Sequence, residues 1–218
     1  SMRAIKLLNP GLANQISAGE VIARPASVVK EALENSIDAG ARNIKIHIES
    51  GGQRLMRVQD DGIGIPSNQM ALALTPHATS KISSLEELEC VSSLGFRGEA
   101  LASIASVSRL RLTSNTDSKE SLAYFIHTTG TNGFSELSPI AHPKGTTLEI
   151  RDLFFNTPAR RKFLRKERTE FNHIEQVVKR LSLSRFDISI NLQHNGKEIF
   201  DSCSANSLFE QEKNLAAI

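Results

Sequence analysis

Between residues 24 and 60 the apolar positions change their period, and this change restricts the fold more than any bulk property does. Arg24 to Ile37 reads as one amphipathic helix, because Val28, Val29, Ala32, Leu33, Ser36 and Ile37 recur at helical spacing and can bury one face. Pro25 suits the first helical turn, and Gly40 suits a left-handed C-terminal cap. Directly afterwards Ile44, Ile46 and Ile48 alternate with Lys45, His47 and Glu49, the period of a half-buried strand. Gly51-Gly52 then turns the chain into a second strand, Leu55 to Gln59, which carries Asp60-Asp61-Gly62-Ile63-Gly64 to a sheet edge.

A short helix is expected from Pro66-Ser67 through Met70 to Leu74, and a small-residue helix from Glu99 to Ala105. Strand-like runs cover Val107 to Thr113, Leu122 to Thr128 and Thr146 to Arg151, with surface turns at Asp117-Ser118-Lys119 and Gly130 to Gly133. Thr169 is placed to cap a long last helix whose buried stripe is Phe171, Ile174, Val177, Val178 and Leu181. Asn195-Gly196 marks a tight hairpin between Ile188–Leu192 and Glu198–Phe200. This order predicts an α+β chain, a two-layer sandwich with helices on one face of a mixed, mostly antiparallel sheet. Thr75 to Gly98, long and poor in regular pattern, reads as either a disordered segment or a functional lid.

Composition narrows the class. With 39% hydrophobic and 23% charged residues in 218, the chain can bury a substantial core. No apolar run approaches the roughly 20 residues of a membrane helix and no signal-peptide pattern opens the chain, so no membrane partner is expected and the cytoplasm is the expected address. Cys90 and Cys203 form no CxxC pair, and the six histidines lack metal-ligand spacing. The net charge of +2 argues for no polyanionic partner, but its distribution does. Arg160, Arg161, Lys162, Arg165, Lys166 and Arg168 fall within nine residues, a run able to displace counterions from DNA phosphates.

Four segments can build one nucleotide site. Glu31, Asn35 and Asp38 stand one turn apart on the first helix, away from its apolar stripe. Glu31 can orient and deprotonate a water attacking a terminal phosphate, and Asn35 offers a neutral oxygen to Mg²⁺, a hard cation that keeps water and phosphate oxygens. Ionised Asp60 only accepts hydrogen bonds, so it suits the amino group of adenine and repels the carbonyl of guanine. Gly62 and Gly64 allow close backbone approach or positive φ. In Gly95-Phe96-Arg97-Gly98 free N–H groups at a helix start can face phosphates. Thr79-Ser80-Lys81 can close over the same anion, and Gly145-Thr146-Thr147 can place small polar groups on the floor. The absence of GxxxxGK[ST] excludes a P-loop.

The order and wording of these segments resemble the motifs of the ATPase superfamily of DNA gyrase, Hsp90 chaperones, sensor histidine kinases and MutL. Asn14-Gln-Ile-Ser-Ala-Gly-Glu, His77-Ala-Thr-Ser-Lys81, Leu94-Gly-Phe-Arg-Gly-Glu-Ala-Leu101 and Phe155-Asn-Thr-Pro-Ala-Arg-Arg-Lys-Phe163 narrow the resemblance to the bacterial MutL mismatch repair family, over nearly the whole chain.

The resemblance implies a Bergerat-type ATP fold with Glu31 as general base, Asn35 as magnesium ligand and Asp60 as adenine anchor. It places Asp38, Gly62, Gly64, Thr79, Ser80, Lys81, Gly95, Phe96, Arg97, Gly98, Glu99, Ala100, Leu101 and Thr147 around ATP, and Arg160, Arg161, Lys162 and Arg165 on DNA. Asp61 stands where the family often has asparagine, and its charge is expected to raise the pKa of Asp60. The implied function is slow Mg-ATP hydrolysis driving N-terminal dimerisation in the full-length protein. DNA, the mismatch-recognition protein MutS and downstream strand-incision or helicase proteins are the implied partners. The alternative is a DNA clamp in which ATP is a structural ligand. On this reading residues 1–2 are a cloning remnant and start methionine, 3–205 the ATP-binding domain, and 206–218 a linker to a second domain whose lysine completes the site, so turnover of this piece is expected to be poor.

Overall fold

A computed structural model of the chain describes residues 22–75, 100–130 and 133–203, together with 212 and 215. Helix α1 spans Pro25–Asp38 and buries Val28, Val29, Ala32, Leu33 and Ser36, the face expected from its periodicity. Proline occupies the helix start, and the chain leaves through Gly40 at φ 74°, with the Ala41 N–H bonded to the Ser36 carbonyl. Strands β1 (Asn43–Glu49) and β2 (Leu55–Asp60) follow as an antiparallel pair.

Beyond them come α2 (Met70–Ala73), α3 (Ala100–Ser106), β3 (Arg109–Asn115), β4 (Ala123–Thr129), the short β5 (Gly133–Phe134) and β6 (Ser138–Ile140), and β7 (Gly145–Arg151). The basic run begins in α4 (Pro158–Arg161), and α5 (Glu167–Ser184) leads to the hairpin of β8 (Ser189–His194) and β9 (Lys197–Asp201). Asn195 and Gly196 turn that hairpin with φ of 51° and 80°, as the two-residue signal requires.

The strands form one sheet in the order β5-β4-β3-β7-β2-β1-β8-β9, with β6 paired to β4. Only β1 and β8 run parallel, so the sheet is mixed and mostly antiparallel. One face carries Ile44, Ile46, Ile48, Val58, Leu110, Leu112, Leu148 and Ile150, which share a single core with the buried stripes of α1, α3 and α5. This is the two-layer α+β architecture expected from the sequence.

Two local expectations are corrected. Asp60 ends a central strand, flanked by β1 and β7, rather than sitting at a sheet edge. Helix α5 starts at Glu167 with Lys166 as its N-cap, so Thr169 lies within the first turn. The backbone there is fixed by the β1–β2 connection: Gln53 Nε2 donates to the Arg165 carbonyl at 2.9 Å, and Gly51 packs on the Glu167 backbone. That non-local docking outweighs the capping preference of a threonine.

Candidate nucleotide site

The last residue of β2 gathers the polar floor of a cavity. Asp60 is 8% exposed, and its carboxylate accepts three hydrogen bonds: Ser36 Oγ at 2.7 Å, Gly62 N at 2.9 Å and Thr146 N at 3.3 Å. Burial pushes its pKa up; those three donors pull it down without cancelling the rise, and Asp61 adds a small push upward. The charge expected to disturb Asp60 is therefore a minor influence beside desolvation. Asp61 instead turns toward the α1–β1 connection, taking the Arg42 and Asn43 backbone N–H groups at 2.8 and 2.9 Å and the Asn43 amide at 2.8 Å. Partial burial raises its carboxyl, but these donors outweigh it, and its pKa lies below the ordinary value.

The cavity above Asp60 is lined from α1 by Ala32, Asn35 and Ser36, from the strands by Val58, Leu112, Thr146 and Leu148, and by Gly64, Ile65 and Leu101. Apolar walls with one buried carboxylate at the base form a slot for a flat heterocycle that offers a donor at its edge. Asn35 stands on the rim, and Glu31 is half-buried one turn earlier on the same helix. A cation beside Asn35 would gain one neutral oxygen from it and would rely on phosphate oxygens and water for the rest, which fits the coordination habit of Mg²⁺.

Gly64 lines this cavity at φ +75°, where an added Cβ would overlap the Asn115 carbonyl. The glycine is therefore required by the crossing of two backbone segments. Gly62 contributes its N–H to Asp60.

The placement of the remaining sequence-derived residues is uneven. Leu101 lines the cavity, and Ala100 opens α3 beside it. Asp38 is exposed at the end of α1 and is not among the lining residues. Thr147 faces the opposite side of the sheet, with its hydroxyl 2.6 Å from His142 Nε2, while Thr146 takes the inward place. Thr79, Ser80, Lys81, Gly95, Phe96, Arg97, Gly98 and Glu99 lie outside the described residues. Ser36 is the contributor that sequence reasoning missed, and of the two threonines expected on the floor it is Thr146 that lines the cavity. In the basic run Arg161, Lys162 and Arg165 are exposed, whereas Arg160 is half-buried with its guanidinium 5.9 Å from the Phe154 ring.

Comparison with known proteins decides the family. The profile described as histidine kinase-, DNA gyrase B- and HSP90-like ATPase matches residues 23–148, more than half of the chain. The chain belongs to this ATPase family. Within it, the chain is 58% identical over 217 residues to the DNA mismatch repair protein MutL of Cellvibrio japonicus, covering 100% of this chain and 34% of that protein. MutL of Proteus mirabilis is 58% identical over 215 residues, 99% of this chain and 32% of its own length. The chain thus spans about a third of the curated MutL proteins it matches. Among solved structures it superposes on the Aquifex aeolicus MutL ATPase domain complexed with ADP with a TM-score of 0.66 and 32% identity, covering 83% of this chain and 64% of that one. The fold is accordingly that of the MutL ATPase domains, the Bergerat type expected from the motifs.

Proposed function

We propose that this member of the ATPase family binds Mg-ATP in the cavity between α1, β2 and β7 and hydrolyses it slowly. In this reading it serves a cytoplasmic mismatch-repair protein whose nucleotide state drives N-terminal dimerisation and engagement of DNA, MutS and downstream incision or unwinding proteins. The observation that carries the reading is the buried Asp60–Ser36 pair on a cavity floor whose rim holds Asn35. Asp60 accepts the adenine amino proton, and the apolar walls from Val58, Leu112 and Leu148 exclude water from the ring. Glu31 orients and deprotonates the attacking water, and Asn35 gives its amide oxygen to the cation, which would neutralise charge on the phosphates. In this proposal segments 79–81 and 95–101 contact the phosphates, and Arg160, Arg161, Lys162 and Arg165 contact DNA.

Asp60→Asn tests the base contact: calorimetry with Mg-ATP should show loss of binding, and retained affinity refutes the adenine role. Glu31→Ala tests the chemistry in the intact protein, where phosphate release should fall while ATP still binds. Unchanged release removes Glu31 as the base, and release no faster than background in the unsubstituted intact protein leaves ATP as a structural ligand of a DNA clamp.

A further inference from the structure

We infer that the open face of the sheet, on its β3–β7–β2 side, is a second seat for the phosphodiester backbone of DNA, continuous with the basic run; this rests on the DNA reading above. The core occupies one sheet face, so the alternate residues of the same strands form the other. Strand register aligns them in rows across the sheet. One row runs Glu49, Leu55, Arg151, Arg109, with Leu55 buried, and the next runs His47, Arg57, Glu149, Arg111, His127. On the four central strands Lys45, Arg57, Arg109, Arg111 and Arg151 stand against only two carboxylates, Glu49 and Glu149.

The pairing inside these rows leaves the surface positive. Glu149 is shared by two guanidinium groups, Arg151 at 2.7 Å and Arg57 at 3.2 Å, so its single charge cannot neutralise both. Arg109 reaches Asp152, just past β7, at 3.2 Å and is 60% exposed. Arg111 sits over the Phe125 ring, its guanidinium carbon 4.0 Å from the centroid, a contact that holds the half-buried cation against the sheet. Such a preset guanidinium loses little freedom on meeting a phosphate.

Continuity and charge select the occupant. Arg109 also sits 4.3 Å over the Phe155 ring, and Phe155 immediately precedes the segment that carries Arg160, Arg161 and Lys162. Arg54 and Arg161 line a neighbouring hollow together with Asp152. The cationic strip therefore runs from α4 over the ends of β7 and β3, whereas the far edge of the sheet, β9, brings Glu198 and Asp201. With Leu55 buried and the Phe125 and Phe155 rings lying beneath guanidinium groups, the exposed groups of the strip are mainly cationic, which fits a phosphate ladder better than a protein interface built on exposed apolar anchors.

The test is fluorescence anisotropy of a labelled DNA duplex with the intact protein over a salt series. The paired substitution Arg109→Glu with Arg111→Glu should weaken binding at least about tenfold and lower the salt slope by about two phosphate contacts. Glu49→Lys should tighten binding and steepen the slope by about one, which keeps the test decisive even if the double variant unfolds. Unchanged slopes in both, while reversal of Arg160, Arg161 and Lys162 to glutamate weakens binding, overturn the second seat and leave the DNA reading intact. Wild-type binding by the Arg160, Arg161 and Lys162 reversal overturns the DNA reading itself.

Discussion

Ser36→Ala isolates how the protein keeps a buried carboxylate ready for a base. Ser36 is 3% exposed, and its hydroxyl donates to Asp60 Oδ2 at 2.7 Å, a charge-assisted bond in a buried setting. Hydrogen bonds to charged groups contribute about 1.5–3 kcal/mol, against about 0.5–1.5 kcal/mol for neutral ones. Alanine leaves Asp60 with two backbone donors, one of them long at 3.3 Å, while the desolvation that raises its pKa stays. The protonated form, which no longer presents two acceptor oxygens to an amino group, gains population. Losing about 1.5–2 kcal/mol from the ionised, oriented state corresponds to roughly a 10- to 30-fold weaker Kd for Mg-ATP by calorimetry. A urea-unfolding cycle separates this coupling from simple packing loss. Ser36→Ala should cost about 1 kcal/mol more in the wild-type background than in Asp60→Asn, where only a neutral bond remains. Additivity within about 0.3 kcal/mol, together with unchanged ATP affinity, refutes the argument.

Gly145→Ala should cost more than about 3 kcal/mol in urea unfolding, because φ of +127° and overlap with the Asp60 carbonyl combine strain and crowding; a loss under about 1 kcal/mol contradicts the backbone crossing. Glu170 is 2% exposed with Oε2 lacking a hydrogen-bond partner among the described residues, so Glu170→Leu should raise stability by about 1–3 kcal/mol, and a lower urea midpoint contradicts this. Burial lowers the His194 pKa, Glu167 opposing and His47 assisting, and the neutral Nε2 accepts the Gly51 N–H at 3.2 Å while the ring stacks on Phe171. The folded state thus binds its proton less readily than the unfolded chain. Stability should be full above about pH 6.5 and fall as pH drops through that value, and His194→Gln should flatten this limb; an identical pH profile for both excludes His194 as its source.

Local pattern made the first third of the fold readable, because α1, β1 and β2 each satisfy a single dominant period and are punctuated by Pro25, Gly40 and the Gly51-Gly52 turn. What local pattern cannot encode is which distant strands meet. β7 enters between β2 and β3, eighty-five residues after β2 ends, and nothing in Gly145–Arg151 alone names those neighbours. Short β5 and β6 carry too few residues to display any period, and their pairing with β4 depends on the turn that returns the chain to it. The start of α5 escaped for a related reason. A threonine is a good cap in isolation, but the backbone near 165–167 is held by Gln53 and Gly51 from another part of the chain.

The site divides along the same line. Asn35 and Asp60 were legible as chemistry, Asn35 because it shares a polar helix stripe with Glu31 and Asp38, and Asp60 because a carboxylate on the parity of Met56 and Val58 needs a reason to be there. Ser36 was read as part of the apolar stripe, and it does lie on that buried face. A small hydroxyl passes for a core residue until a carboxylate is found opposite it. Thr146 and Thr147 show where the strand period could have decided. Leu148 and Ile150 are buried in the core, so alternation sends Thr146 inward with them and Thr147 outward toward His142. The Asp60–Thr146 register then follows from pairing β2 with β7, and it delivers the Thr146 N–H to the carboxylate that a base is to meet. The donor set around Asp60 is therefore fixed by the parity of one strand and the register of two, and a one-residue slip of β7 would replace Thr146 by Thr147 while turning Leu148 and Ile150 out to water. The hydrophobic alternation that builds the core also aims the hydrogen bonds, which is why the proposed adenine contact and the fold are expected to fail together when β7 is misregistered.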